Sequence, residues 1–324
     1  MYKLIFALFI AGFIFSGCDN ELDLVADYEE FPVVYGLIDL ADTAQYIRVE
    51  RVFVDKNTSA TILAQNPDSL YYDNITVKLV NLQSGEEHIL TKVDGNEEGY
   101  VRDTGAFAQT PNFLYKLPTS ALDVESEELL EIQIEGIYDE EVVSATTDIV
   151  EAPFFASPQQ DGVVSFLPDR RIAIGWNPKA DNSVIFTVSF YFNIREERNG
   201  VIEDKRLHWI VDAATEKTLI EAFGRDFYSF LRGNLDINED ISRSFMSCEF
   251  ELIAGNQNIA DYIRVGQANL GITSSGEVPK FTNMSRGLGI FGSKYTVLRT
   301  NIDLNAETLD SLRNGSITDV LNFN

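Results

Sequence analysis

The chain has 324 residues, 45% of them hydrophobic, which is material for two ordinary domains with real cores. Its 51 acidic residues outnumber 25 basic ones, and a formal charge of −26 repels nucleic acid and anionic lipid surfaces, so neither is an expected partner. With two cysteines and two histidines, neither a disulfide framework nor zinc chemistry has much to build on.

Lys3 opens a leader, and Leu4 to Phe15 (LIFALFIAGFIF) is an unbroken apolar run. As a helix this run would measure roughly 18 Å, short of the roughly 30 Å hydrocarbon core, which fits the h-region of a signal peptide rather than a transmembrane span. The tail Phe15-Ser16-Gly17-Cys18 resembles the bacterial lipobox, although Phe15 stands where that pattern usually has Leu or Val. The resemblance implies a signal peptide over residues 1–17 and a diacylglycerol thioether on Cys18. Each buried acyl CH₂ contributes about 0.8 kcal/mol, so several chains hold a soluble body at a membrane. Losing the leader removes Lys3 and no acid, leaving 24 basic against 51 acidic residues, or −27. Residues 18–30 form an acidic leash. Its opening, Asp19 to Leu24, is similar to the surface-export signal of Bacteroidota lipoproteins and implies the outer face of the outer membrane.

Beyond the leash the pattern is of short strands. Phe31 to Leu40 is β-rich, with Pro32 near its start. Tyr46 to Val54 alternates Ile47, Val49 and Arg51 against Arg48, Glu50 and Val52, as a half-buried strand does. A polar loop with Pro67, Asp68, Tyr71 and Tyr72 leads to Asn74–Leu82, with Ile75, Val77 and Leu79 on one face. Glu87 to Val93 returns the chain, Asp94 to Asp103 is Gly- and acid-rich, and Asn112 to Leu117 ends at Pro118. Leu129 to Tyr138 and Glu141 to Val150 form a hairpin. Strands at this spacing with no helical period predict a mainly β chain of two antiparallel β-sandwich, immunoglobulin- or fibronectin-like domains, over residues 31–152 and 160–324. Glu151 to Asp161, with two prolines, is the expected boundary.

In the second half, Val163 to Phe166, Arg171 to Trp176, Ser183 to Ile194 and Val201 to Val211 read as strands. The order Ile-x-Trp, polar turn, long aromatic strand is similar to fibronectin-type sandwiches and places Trp176 in the core. An inserted amphipathic helix is expected over residues 218–232, with Thr218 and Glu221 as its capping box and Gly233 as its stop. Ser244 to Leu252 resumes strand, and Asn258 to Val265 reads as a short helix or an edge strand. In Asn283 to Ser293 the glycines are expected to let the backbone turn or pack closely, with Ile290 and Phe291 inward. Tyr295 to Leu304 is a last strand, and Asn305 caps a final helix ending at Gly315.

The stretches Val33–Phe53, Pro67–Tyr72 and Gly287–Ser293, with the lipobox and its acidic tail, resemble a family of uncharacterised Bacteroidota outer-membrane lipoproteins. Members often accompany TonB-dependent outer-membrane transporters, so the resemblance implies a lipid-anchored binding or accessory protein with an envelope partner, and supplies no catalytic residues.

Chemistry is sparse. Asp236, Asn238 and Asp240 resemble the opening of a calcium loop, but an EF-hand needs Gly and Glu where Ile241 and Ser247 stand, so calcium is the only cofactor that finds even a partial pattern. No Gly-x-Ser-x-Gly elbow is present, and Cys248 lies far in sequence from His88 and His208. The expectation is a protein that is not an enzyme. Tyr71, Tyr72 and Trp209, with Phe154 and Phe155, offer either an aromatic platform for glycan capture or ordinary core caps. The triplets at Asp42-Thr43, Asp68-Ser69 and Asp310-Ser311 look like Bacteroidota O-glycosylation sites.

Overall fold

The computed structural model describes residues 29–54, 58–268 and 280–324. The expected signal peptide, Cys18 and the expected leash up to residue 28 lie outside the described residues. Among the described residues no helix is long and apolar enough to cross a membrane.

The first half contains β1 (Glu29–Asp39), β2 (Ala44–Val54), the short helices α1 (Ala60–Ala64) and α2 (Pro67–Leu70), β3 (Thr76–Asn81), β4 (Glu87–Ile89), β5 (Thr91–Asp94), β6 (Phe113–Pro118), β7 (Leu129–Glu135) and β8 (Val143–Asp148). The second contains β9 (Val163–Val164), β10 (Arg171–Gly175), β11 (Ile185–Arg198), β12 (Val201–Thr215), β13 (Leu219–Phe223), α3 (Gly224–Asn234), β14 (Ser242–Gly255), α4 (Gln257–Ala268), β15 (Leu288–Leu304) and α5 (Ala306–Asn314). The chain is mainly β and sandwich-built. A four-stranded sheet, β4-β3-β7-β8, faces β1, β2 and β6 across a core of Val34, Ile47, Val49, Val77, Leu79, Ile132 and Ile134. The return strand expected after Glu86 breaks at buried Leu90, so that β4 joins one sheet and β5 the other.

In the second half β11, β14 and the end of β15 form a sheet whose inner face carries Phe190, Phe192, Phe250 and Leu252. The ribbon β10-β13 and helix α3 cover it with Ile174, Trp176, Ile220, Phe227 and Leu231. Trp176 is 7% exposed and packs on Phe186, in the core position expected of it.

Each half has its own apolar core, yet the two share one sheet, in the order β12-β11-β14-β15-β1-β2-β6-β5. Strand β15 makes the connection. Leu288 to Lys294 pair in parallel with Val33 to Asp39 of β1, and Lys294 to Ile302 pair antiparallel with β14 on the other edge. The parallel pairing departs from the all-antiparallel expectation. The glycine segment permits the close approach: Gly287 and Gly289 have φ of +96° and +117°, and a Cβ on Gly289 would lie 1.8 Å from the Val34 carbonyl oxygen. Ile290 and Phe291 are both buried, and Phe291 enters the first core.

Buried polar contacts fix the same junction. The Asn256 side chain donates to Thr147 Oγ1 at 2.7 Å and Asp148 Oδ1 at 2.8 Å, while Ser293 Oγ accepts from the Val150 amide at 3.0 Å. Asp39, 1% exposed, accepts from Thr296 Oγ1 at 2.6 Å with Lys294 Nζ at 3.3 Å.

Helix α3 corrects one expectation. Residues 219–223 are strand, not the first turns of a helix over 218–232. Pairing with β10 supplies more backbone bonds than the local capping box, and Thr218 gives its carbonyl to the Trp176 amide. The helix begins at Gly224, and Asp226 reaches back to accept from the Phe223 amide. Residues 257–268 take the helical alternative, and Asn305 caps α5 by accepting from the Thr308 amide.

One buried cation ties the chain's last residues to the sheet. Arg243 is fully buried, with Nε 2.7 Å from Glu196 and its other nitrogens donating to the Leu321 and Asp236 carbonyls. Lys205 completes the pairing on Glu196 at 2.7 Å. Burial pushes the Glu196 carboxyl up, but the bonds from Lys205 and Arg243 outweigh it and hold the group below the usual carboxylate range.

Gly289→Ala should destabilise the chain by about 2 kcal/mol or more, since both the positive φ and the Val34 carbonyl oppose a Cβ there. Urea unfolding that gives an unchanged midpoint would show that the parallel junction tolerates a side chain. The stability supplied by Glu196 should be fully present above its unfolded value of roughly 4.3 and disappear as pH falls through the depressed folded value. Glu196→Gln should therefore flatten the acid limb of the stability profile, and it should cost roughly 3 kcal/mol at neutral pH by leaving buried Arg243 without its counter-ion.

Candidate functional site

Strand β6 pairs only with Ala44 to Ile47 of β2, so the rest of that edge is covered by α1, α2 and the loop over residues 95–112. Pro67 occupies the first turn of α2 and the Asn66 side chain caps it by accepting from the Asp68 amide. The end of α2 is held by the Arg51 guanidinium, which donates to the carbonyls of Asp68 and Tyr71 at 2.8 Å each and lies 5.0 Å over the Tyr72 ring.

On the other face of β2, Glu50 is 7% exposed. It sits between two guanidiniums, Arg48 at 2.9 Å and Arg102 at 2.7 Å. Arg48 also donates to Asn112 Oδ1, and Asn112 Nδ2 donates to the Tyr100 carbonyl, so the pairing pins the loop at both ends. Arg102 donates to the Tyr71 hydroxyl at 3.1 Å and lies 5.0 Å over the Phe107 ring. Burial raises the Tyr71 pKa, the Glu50 charge adds to the rise, and Arg102 opposes it. The phenol is therefore protonated at neutral pH.

Beside this network lies a crevice of about 300 Å³, lined by Val52, Ala60, Ala64, Leu70, Ala106 and Phe107. Phe107 is 46% exposed at its mouth, and Ile62 of α1 and Val101 of the loop are exposed nearby in the sequence. Arg51 and Thr61 complete the lining; Arg51 is engaged by backbone carbonyls, and the rest of the wall is mostly apolar. Such a surface accepts an aliphatic or aromatic group and offers no paired nucleophile and base.

The residues singled out from sequence do not form one site. Tyr71 and Tyr72 are 5% and 7% exposed and support the crevice from within, so they present no ring face to a sugar. Tyr71 meets Phe113 edge-on at 5.0 Å, and Tyr72 belongs to the first core. Trp209 is half-buried against the second core, between Phe190 and Phe230. Phe155 packs on Phe250 while Phe154 is exposed. The ring that does face outward beside Trp209 is His208, stacked 4.3 Å from Tyr191, whose ring also carries Arg206 at 3.6 Å.

Asn238 Oδ1 accepts from the Asp240 amide and the Asp236 carbonyl accepts from Arg243. Among the described residues no group of three or more His, Cys, Asp or Glu is gathered as a metal ion would need. Cys248 is buried, and desolvation, with smaller contributions from Asp303 and Glu249, pushes its thiol up to about 12, far from a reactive thiolate. Of the possible modification positions, Thr43 is exposed, while Ser69 and Ser311 are half-buried.

Glu50, Arg102 and Phe107 were not apparent in sequence. Glu50 looks like an ordinary solvent-facing residue of an alternating strand, and the residues that cover it arrive from a loop about fifty positions away, with 52 separating Arg102 from Glu50.

No protein-family model matches the chain, and no curated protein matches it significantly. Among solved structures, a two-domain fibronectin type III segment of chicken tenascin is similar at 8% identity, over 69% of this chain and 90% of that one, with a TM-score of 0.18. The FN1–FN3 domains of chicken CNTN1 are similar at 12% identity, over 84% of this chain and 65% of that one, also with a TM-score of 0.18. Scores this low carry no argument, and the fold rests on the strand order and cores described above.

Glu50→Gln should leave Arg48 and Arg102 facing each other across a mostly buried gap, at a cost of about 1–3 kcal/mol. Limited proteolysis should then cut within residues 95–112 first. Cleavage unchanged from wild type would show that the loop is held by other contacts.

Proposed function

We propose that the chain is a lipid-anchored envelope binding or accessory protein. In this reading Cys18 tethers it to the outer membrane, cell-surface exposed, and the crevice on the first sandwich takes an apolar group of a protein partner. The resemblance of the leader and leash to those of Bacteroidota lipoproteins supports the anchor, and the same resemblance points to a TonB-dependent transporter as the partner. The single observation that carries binding is the mostly apolar crevice with Phe107 open at its mouth and the nearby charged groups Glu50, Arg51 and Arg102 already paired. A binding surface needs that arrangement, whereas an active site needs polar groups free to act.

Capture of a free peptide is the second reading, favoured by the same crevice. A sugar platform built on Tyr71 and Tyr72 is set aside, because both rings are buried.

Two measurements test the proposal. Mass spectrometry of the mature chain should find an N-terminal Cys18 carrying a thioether-linked diacylglycerol, and an unmodified thiol there would remove the anchor. After mild solubilisation, an outer-membrane transporter should co-purify with the wild-type protein and be reduced at least tenfold with Phe107→Asp, an exposed change that leaves the core intact. Equal recovery from both would remove the crevice as the docking face.

A further inference from the structure

The nine-stranded sheet ends at β12, a 15-residue strand with β11 on one side only. Among the described residues, no backbone hydrogen bond joins Val201–Val211 to any element except β11. Unpaired edges of this length invite another strand, and proteins usually shorten, charge or cover them. Charge guards only part of this one. Glu203 to Arg206 are charged, but Leu207 to Val211 (LHWIV) is an uncharged, β-prone run in the middle of the strand.

A second strand edge lies beside it. Strand β13 pairs with β10 on one side only. Between β12 and β13 is a pocket of about 420 Å³, lined by Val211 and Asp212 from one edge and Leu219, Ile220 and Glu221 from the other, with Lys217 in the turn between them. The exposed lining is mostly polar, and Leu219, 57% exposed, supplies accessible apolar surface within it. An added strand alternates its side chains, so every second one would point to the side where this pocket opens.

Charge selects the strand. Asp204, Lys205 and Arg206 are taken by Arg195, Glu196 and Glu249. Glu203, four residues before the uncharged run, and Asp212, directly after it, are in no ion pair among the described residues; Lys217 is the one cation in the pocket lining, and the chain as a whole carries −26. A basic strand therefore meets uncompensated carboxylates, and an acidic one meets repulsion.

We propose that the open edge of β12 and the pocket between it and β13 dock an extended peptide strand of a partner protein, apolar at alternate positions and basic at the others. Backbone hydrogen bonds to β12 supply affinity, and the pocket and the two carboxylates supply selectivity. The proposal rests on the reading of the chain as a binding protein, but it concerns a different face from the Phe107 crevice.

The test uses the full mature chain and two nine-residue probes, one alternating Val with Lys and the other Val with Glu. Hydrogen–deuterium exchange should show Val201–Asp212 protected by the Val/Lys probe, and titration should give at least tenfold weaker binding for the Val/Glu probe. Leu219→Ser, an exposed change that removes apolar surface and adds no charge, should weaken Val/Lys binding at least fivefold while circular dichroism stays unchanged. Equal affinity for the two probes, or binding with no protection of β12, would overturn the proposal. Protection of β12 that grows with protein concentration and no probe would also overturn it, by assigning the edge to a second copy of the chain. Each of these readouts is separate from lipidation at Cys18 and from recovery of a partner through Phe107, so failure here leaves those results standing.

Discussion

The whole arrangement depends on one close approach of backbone to backbone, where Gly287 and Gly289 of the last long strand run alongside Pro32 and Val34 of the first. Parallel pairing between the first and last strands of a chain closes a very long loop, and the entropic cost of closure is recovered only if the register is held tightly. Here a Cβ at either glycine would strike a carbonyl oxygen of β1, so the side chains are absent where the strands meet. The same strand then lends its other edge to β14, with Lys294 as the position common to both pairings. Two apolar cores that could have belonged to separate domains thus share a continuous sheet, and the buried Asn256 and Asp39 contacts specify its register where apolar packing alone would not.

The charge imbalance takes on structural meaning once the ion pairs are placed. Several of the few cations are drawn inward or against the surface to hold particular carboxylates: Arg48 and Arg102 on Glu50, Arg243 and Lys205 on Glu196, Lys294 on Asp39. These pairs position segments more than they add net stability, because desolvation offsets most of the Coulomb attraction of a buried pair. Arg243 joins the last residues of the chain to the sheet, and Arg102 joins the middle of the 95–112 loop to β2, beside the Arg48–Asn112 contact at its end. What remains outside is a surface with acids in excess, which disfavours anionic partners wherever they approach.

Strand positions were legible in the sequence because alternation is a local signal. Tyr46 to Val54, Leu129 to Tyr138 and Ser183 to Ile194 each carry a period of two, and each became a strand. The helix after Leu219 was legible in kind but misplaced, since Thr218-x-x-Glu221 satisfies a local capping rule while the pairing of β13 with β10 is decided by a strand over forty residues earlier, Arg171 opposite Phe223. The crevice was not legible at all. Its polar support joins Glu50 to Arg102 and Tyr71, its walls come from four separate segments, and no periodicity links them. Tyr71 and Tyr72 drew notice as loop aromatics, yet a loop tyrosine flanked by Leu70 and folded under an arginine is core in all but sequence context.

A sheet that traverses the molecule also constrains how binding at one place can be felt at another. Strands β2 and β12 stand in the same hydrogen-bonded array, with β1, β15, β14 and β11 between them. Such an array resists shear between neighbours because each strand step carries a ladder of bonds, so a load applied at one end passes along the sheet as a rigid displacement rather than a local hinge. Among the described residues β1 starts at Glu29, and it lies within that array next to β2. A load applied at the start of β1 would therefore be borne by the ladders that β1 makes with β2 and β15. The glycine junction is in that sense a mechanical element as much as a topological one, since loosening it would free β1 from one of its two neighbours.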